Sequence, residues 1–332
     1  MTHDALPLTH NVTSPPLAIF ALGGAAAWPF ITHAQQTKVS VIGVLVLGSP
    51  PPEDFLKRLR DALRDVGYTE DRNIRLEIRS AKGNPDLLID RVAELVRLKV
   101  DIIVAFQTQA ATAAKQATKE IPIVMALVGD PLGAGLVANY ARPGGNLTGI
   151  AAGSTEVAGK TVELIREVIP SARRFAVLAN ETDPFTKPFL AAIGLGAGNA
   201  GMEMDIVRAR PGLPLDGAFE SIAAKRVNAV VIQGSMVRKE AVELAMKHRL
   251  PAFGISRDLP ETGGLMGYFA NHAEMYRDTA VYIDKILKGA KPSDLPVNFP
   301  TKFELVVNVK AAKVLGLVVP PSLLARADEV IE

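Results

Sequence analysis

The sequence predicts an α/β protein made of two doubly wound parallel-sheet lobes joined by a three-crossing hinge. Three observations predict it. Short runs rich in Val and Ile alternate with longer stretches whose apolar residues recur at helical spacing. The chain has 332 residues and 48% hydrophobic content, too much for one ordinary core and enough for two. The alternation completes two full series, and the elements left over are too few for a third core.

The first series begins after the N-terminal segment. Residues 39–47 form an apolar strand, and Gly48-Ser49-Pro50-Pro51-Pro52 is a rigid turn at its carboxyl end. Phe55, Leu59, Leu63 and Val66 recur at helical spacing, with Gly67 as the stop. A strand over 74–78 and a helix carrying Leu88, Val92, Leu95 and Val96 repeat the pattern. The stretch DIIVAFQTQAATAAKQATKEIPIVMALVGDP, 101–131, then reads as strand, helix and strand. Such a unit forces parallel pairing with a right-handed crossover, so the turns Gln107-Thr108-Gln109 and Gly129-Asp130-Pro131 emerge at one sheet edge. Ligands bind beyond that carboxyl edge, where helix N-termini present free N–H groups.

YARPGGNLTG, 140–149, breaks the rhythm with proline and glycine, and predicts a crossing near Gly144-Gly145. The second series has strands near 175–178, 204–207, 229–232 and 252–255, separated by helices near 156–168, after Pro184, 216–225 and 238–248. A second crossing is expected near 264–267, then a long helix over 273–287, and a third crossing near a strand at 303–307. The first lobe would hold 38–148 and about 265–302, and the second 149–264 and about 303–332.

The N-terminus carries an export reading. LAIFALGGAAAWPF, 17–30, has signal-peptide length and falls short of the roughly 20 residues that span a bilayer. Thr32-His33-Ala34 followed by Gln35-Gln36 places cleavage after Ala34, although residues 1–16 lack the Lys or Arg of an ordinary export signal. The alternative is a buried helix of the mature protein. A formal charge of +2 with scattered basic residues gives no footprint for nucleic acid, and the absence of cysteine excludes a disulfide framework or thiolate site.

Candidate ligand-binding residues lie at the two sheet edges. Ser49, Gln107, Thr108 and Asp130 belong to the first. Asp130 would accept hydrogen bonds from a ligand ammonium or else close an Asx turn, and Thr108 would hold a carboxylate or simply cap its helix. Asn180 and Asp183, with Gln233 and Ser235, follow strands of the second lobe and face the first across the cleft. Tyr268 and Phe269 would stack on an aromatic or apolar ligand or pack at the lobe junction. The run GAGNAG, 196–201, spells a dinucleotide fingerprint but has a helix before it and a strand after it, the reverse of the required context, so a glycine-ended helix is expected. His248 and His272 lack partners at metal-ligand spacing, and no Gly-x-Ser-x-Gly elbow is present. Neither a metal, a cofactor nor a catalytic constellation is expected.

Longer motifs carry a resemblance. DLPVNFPTKFELVVNVKAAKVLGLVVPPSLLARADEVIE, 294–332, GDPLGAGLVANYARPGGNLTGI, 129–150, and ILKGAKPSDLPV, 286–297, resemble signatures of a branch of ABC-transporter solute-binding proteins associated with tryptophan, tyrosine and related ligands. The leader LGGAAAWPF followed by AQQ is similar to that of proteobacterial members. The resemblance spans 38–332 and implies a periplasmic-binding type I fold that clamps a ligand between its lobes, without catalysis. It also implies a periplasmic location and an ABC permease as partner, and a monomer is expected. The chain departs from the family's glycine-led turn at Phe106-Gln107-Thr108-Gln109, and has Phe269 where the family has glycine. Both departures lie near the expected cleft, so the resemblance carries a small amino-acid-like ligand without its identity. The rivals are a ligand sensor of the same fold and an α/β enzyme using the cleft.

Overall fold

A computed structural model of the chain describes residues 39–48 and 53–332. The leader and Ser49 lie outside the described residues. Two sheets organise the molecule. The first contains β1 (Ser40–Val46), β2 (Ile74–Ser80), β3 (Ile102–Phe106), β4 (Ile123–Val128) and β5 (Leu147–Ala151), in the order β2-β1-β3-β4-β5 and parallel throughout. The second contains β6 (Arg174–Asn180), β7 (Glu203–Ala209), β8 (Val230–Ile232), β9 (Ala252–Gly254), β10 (Met266–Ala270), β11 (Phe303–Asn308) and β12 (Glu329–Ile331). Its order is β12-β11-β10-β9-β8-β6-β7, with only the β10–β11 pair antiparallel. The five strands β7-β6-β8-β9-β10 repeat the winding of the first sheet, a doubly wound α/β arrangement as the sequence predicts.

Helices cover both faces of each sheet. Alternation along β1 sends Ile42, Val44 and Val46 to one face, where they meet Phe55, Leu59 and Leu63 of α1 (Glu53–Asp65). Leu45 points to the other face, against α2 (Leu88–Arg97) and α3 (Gln107–Ala117). In the second sheet Phe175 and Val177 pack on α4 (Ser154–Val168) and α5 (Thr186–Ala200), while Ala176 and Leu178 face α6 (Asp216–Ala224) and α7 (Lys239–Lys247). The short α8 (Asp258–Glu261) leads into β10, and α9 (His272–Leu287) returns to pack Met275, Tyr276 and Ile283 in the core beside α1. The glycine run in α5 ends in the left-handed Gly201, and Gly196 sits where a Cβ would fall 2.7 Å from the Gly159 carbonyl of α4. Those glycines serve close helix packing and a helix stop.

The chain passes between the sheets at Ala152–Gly153, at Asn271 and at 299–302. These differ from two of the expected crossings. Gly144-Gly145 takes positive φ in a turn that precedes β5, so the chain still has a strand of the first sheet to make. The segment 264–267 opens β10, which pairs with β9 and β11 in the second sheet, so the crossing waits for Asn271. The three connections are tied together. The Asn271 N–H donates to the Lys302 carbonyl at 2.9 Å, and Ala151 and Asn298 exchange bonds with the edge of β5, Ala151 N–H to the Asn298 carbonyl at 2.9 Å and Asn298 N–H to the Gly149 carbonyl at 3.0 Å.

Gly149 marks the tightest point of this edge. Its φ is +136°, and a Cβ there would stand 2.2 Å from the Met125 carbonyl oxygen, beside the register shift of β4. Gly149→Ala should therefore destabilise the protein by about 3 kcal/mol or more, from backbone strain and overpacking together. A urea melt would show this as a lowered midpoint at unchanged slope.

Candidate functional site

The carboxyl ends of β3 and β4 face those of β6 and β8 across a cavity of about 940 Å³, within the range of small-molecule sites. Its first wall is aromatic. Phe55, at the start of α1, stacks on Phe106 with ring centroids 4.1 Å apart, and Tyr276 of α9 tilts against Phe55 at 5.7 Å. His272 meets Tyr276 edge-on at 6.1 Å, and all four residues line the cavity. Beside them lie the two strand-end turns. Thr108 is buried and its hydroxyl accepts the Gly129 N–H at 3.3 Å, which leaves its own proton free at the N-terminus of α3. Gln107 (φ +69°) and Leu127 (φ +56°) both hold left-handed backbone here, which is costly for non-glycine residues.

The opposite wall is a polar network centred on Asp183. Its Oδ1 accepts the Phe185 N–H at 3.0 Å, and its Oδ2 accepts from Gln233 Nε2 at 3.1 Å and from the Ser235 hydroxyl at 2.9 Å. Gln233 Oε1 in turn accepts from the Asn180 N–H and the Thr186 hydroxyl, both at 2.9 Å. Asn180 donates its amide to Ser235 Oγ at 3.1 Å and accepts from Thr182. Every partner of the Asp183 carboxylate in this network is neutral. Burial pushes its pKa up, and the bonds from Phe185, Ser235 and Gln233 pull it only partly back.

The two walls touch on either side of the cavity. Gln109 Nε2 donates to Thr182 Oγ1 at 3.1 Å, and the Phe185 ring presses on Gly129 so closely that a Cβ there would lie 2.6 Å from it. At the rim, Asp86 and Arg210 form an ion pair at 2.5 Å.

Of the residues singled out in the sequence, Gln107, Thr108, Asp183, Gln233 and Ser235 line the cavity, and Asp130, Asn180, Tyr268 and Phe269 do not. Asp130 Oδ1 accepts from the Gly133 N–H at 2.9 Å and the Tyr140 hydroxyl at 2.8 Å, closing the turn after β4. Tyr140, its hydroxyl pushed up to about 12 by burial and then by Asp130, meets Phe299 edge-on at 4.8 Å. Its carbonyl accepts the Val297 N–H at 2.7 Å, so Asp130 braces the third connection through Tyr140. Asn180 is fully buried and orients Ser235 and Gln233 from behind. Tyr268 and Phe269 sit on β10 inside the second sheet, flanked by β9 and β11. Tyr268 packs near Phe303 at 6.0 Å and Phe269 near His272 at 5.8 Å, the lobe-junction alternative. The aromatic wall escaped sequence reading because Phe55 and Tyr276 fit the apolar face of their helices like any core residue. Among the described residues, no group of three or more His, Cys, Asp or Glu is placed to hold a metal ion, and no helix is long and apolar enough to cross a membrane.

Two wound sheets with a cavity between their carboxyl edges define a periplasmic-binding type I fold, shared with distant solute-binding proteins. The chain belongs to the ABC transporter substrate binding protein family, whose sequence model matches residues 40–331. It is 26% identical over 291 residues to a tyrosine-binding protein of Clostridioides difficile, covering 85% of this chain and 83% of that protein. A solved conserved domain protein of Vibrio cholerae superposes with TM-score 0.82 at 27% identity, covering 88% of this chain and all of that one. An ABC domain from Streptococcus pneumonia, solved in complex with L-Trp, superposes with TM-score 0.82 at 27% identity over 89% of this chain and 100% of its own.

The bracing role of Asp130 is testable. Asp130→Ala should lower stability by about 1–2 kcal/mol, the range for a lost turn cap and hydrogen bond, and leave ligand affinity unchanged. Denaturant melts and calorimetric titration of the same variant check both halves.

Proposed function

We propose that the protein is an exported receptor that closes on an aromatic, amino-acid-like ligand and presents the closed form to an ABC permease. The observation that carries this reading is the buried Asp183 carboxylate, lined by neutral donors, facing an aromatic wall inside the cavity. A ligand ammonium supplies the countercharge that burial makes valuable. The Thr108 hydroxyl and the N-termini of α3 and α4, the latter opened by Ser154, suit a carboxylate. Phe55, Phe106 and Tyr276 offer ring faces for stacking. A relative named as tyrosine-binding and a similar domain solved with L-Trp support the ligand class.

In this reading the lobes are 39–151 with 272–298, and 153–270 with 303–332, and the three tied connections absorb the rotation between them. The leader is removed on export and the mature chain acts as a monomer. Export is checked by N-terminal sequencing of protein recovered from a periplasmic extract, which should begin at Gln35.

Thermal-shift and calorimetric titrations with L-tryptophan and L-tyrosine test the ligand. At a hundred times its Kd a true ligand adds about 2.7 kcal/mol of stability. Asp183→Asn should weaken binding by about 1.5–3 kcal/mol, the range for a hydrogen bond to a charged group. Small-angle scattering should show a smaller radius of gyration on ligand addition; a tight ligand without compaction of an open apo form would sink the clamp.

The pH dependence follows from the raised pKa of Asp183. Between 3.8, where an unfolded carboxyl releases its proton, and the raised folded pKa, the folded protein binds a larger share of that proton than the unfolded chain. Stability of the ligand-free protein from this group is therefore fully present below 3.8 and falls as pH rises through the folded pKa. Ligand affinity should rise across the same window, because the ammonium needs the ionised carboxylate. Titrations and melts run from pH 4 to 8 read both slopes, which must have opposite sign.

A further inference from the structure

We infer that Gln107 selects among aromatic amino acids, favouring a ligand whose ring carries a hydrogen-bonding group over one whose ring is bare. This inference rests on the aromatic amino-acid reading above. Gln107 stands between Phe106 of the aromatic wall and Thr108, and it lines the cavity. Its φ of +69° is a conformation that glycine adopts freely and that a residue with a side chain resists, so a side chain is kept here against its backbone preference. Of its neighbours in the turn, Gln109 is engaged with Thr182 across the cleft, and the Thr108 hydroxyl accepts the Gly129 N–H. The carboxamide of Gln107, half-buried, bonds to none of the described residues.

Several other polar side chains of the cavity are held by partners within the protein. Asp183, Gln233 and Ser235 satisfy one another, Arg238 is bonded to Glu240, and Arg257 is held by Glu261 and Glu304. A carboxamide both donates and accepts, so it matches an indole N–H or a phenol O–H equally well. A half-buried amide that finds no partner on the ligand is left unsatisfied, which is how such a group rejects an analogue lacking the polar atom.

The test is calorimetric titration of the wild type, Gln107→Ala and Gln107→Gly with L-tryptophan, L-tyrosine and L-phenylalanine. The wild type should prefer tryptophan or tyrosine over phenylalanine by at least about tenfold. Both variants should cut that ratio by about fivefold or more while phenylalanine affinity stays within about threefold of wild type. The glycine variant relieves the backbone and the alanine variant does not, so the shared loss isolates the amide. A ratio unchanged in either variant, no preference in the wild type, or equal weakening of all three ligands would overturn the assignment, the last by moving the amide to the shared amino-acid head. Wild-type protein that binds none of the three defeats the aromatic reading itself, and this inference with it.

Discussion

A parallel strand cannot return to its neighbour by a tight turn, and the molecule is built on that constraint. Each crossover between parallel strands carries a helix or a long connection, so the carboxyl ends of the strands collect at one edge together with helix N-termini. The chain does this twice, with the winding β2-β1-β3-β4-β5 repeated as β7-β6-β8-β9-β10. Turning two such edges toward each other makes a cavity whose walls consist of strand ends and helix starts, the places where backbone donors remain unspent. The antiparallel β11 is the exception that closes the design. It lets the chain come back from α9 along β10, and the return is fixed by the Asn271–Lys302 bond.

Part of the energetic cost of the fold falls at those same strand ends. Left-handed backbone at Gln107 and Leu127 costs about 1–3 kcal/mol each, and the register shift of β4 next to Leu127 bends the strand at the cavity. Asp183 adds a buried carboxyl group without a cation beside it, supported by a chain of neutral groups running back to Asn180 and Thr186. A protein selected for stability alone would replace these features with glycine, a straight strand and an apolar contact. In the proposed function, their position around one cavity serves recognition.

Much of this was legible in the sequence, and the failures have definite causes. Strands and helices announced themselves because buried parallel strands are continuous apolar runs and their helices keep a 3.6-residue period. The edge residues Thr108, Asp183, Gln233 and Ser235 followed from topology alone. The lobe crossings did not, because glycine marks backbone reversal rather than lobe boundaries. Gly144 and Gly145 turn the chain into β5, whereas the true passages use Ala152–Gly153, Asn271 and a proline-bearing segment before β11. Asp130 and Asn180 look like ligand contacts in a list of strand-end residues, yet one is spent on Tyr140 and the other lies behind the wall. Telling a residue in front of a wall from one behind it needs side-chain direction, which a sequence without an alignment does not supply.

The contacts that bridge the two walls are individually slight. Asp86 is exposed and Arg210 partly so, and such a surface pair contributes about 0–1 kcal/mol. The Gln109–Thr182 bond adds about another 1 kcal/mol. Contacts of this size are easily offset by the cost of sealing an uncompensated Asp183 between the lobes. An ammonium ligand changes the sign of that last contribution, because it turns the buried carboxylate from a penalty of closure into half of an ion pair that exists only when both walls are in place. A ligand shifts an equilibrium only through such differential affinity for its two states. In the proposed function, the buried carboxylate on one lobe and the aromatic wall on the other would make closure conditional on cargo, the difference a permease needs to tell a loaded receptor from an empty one.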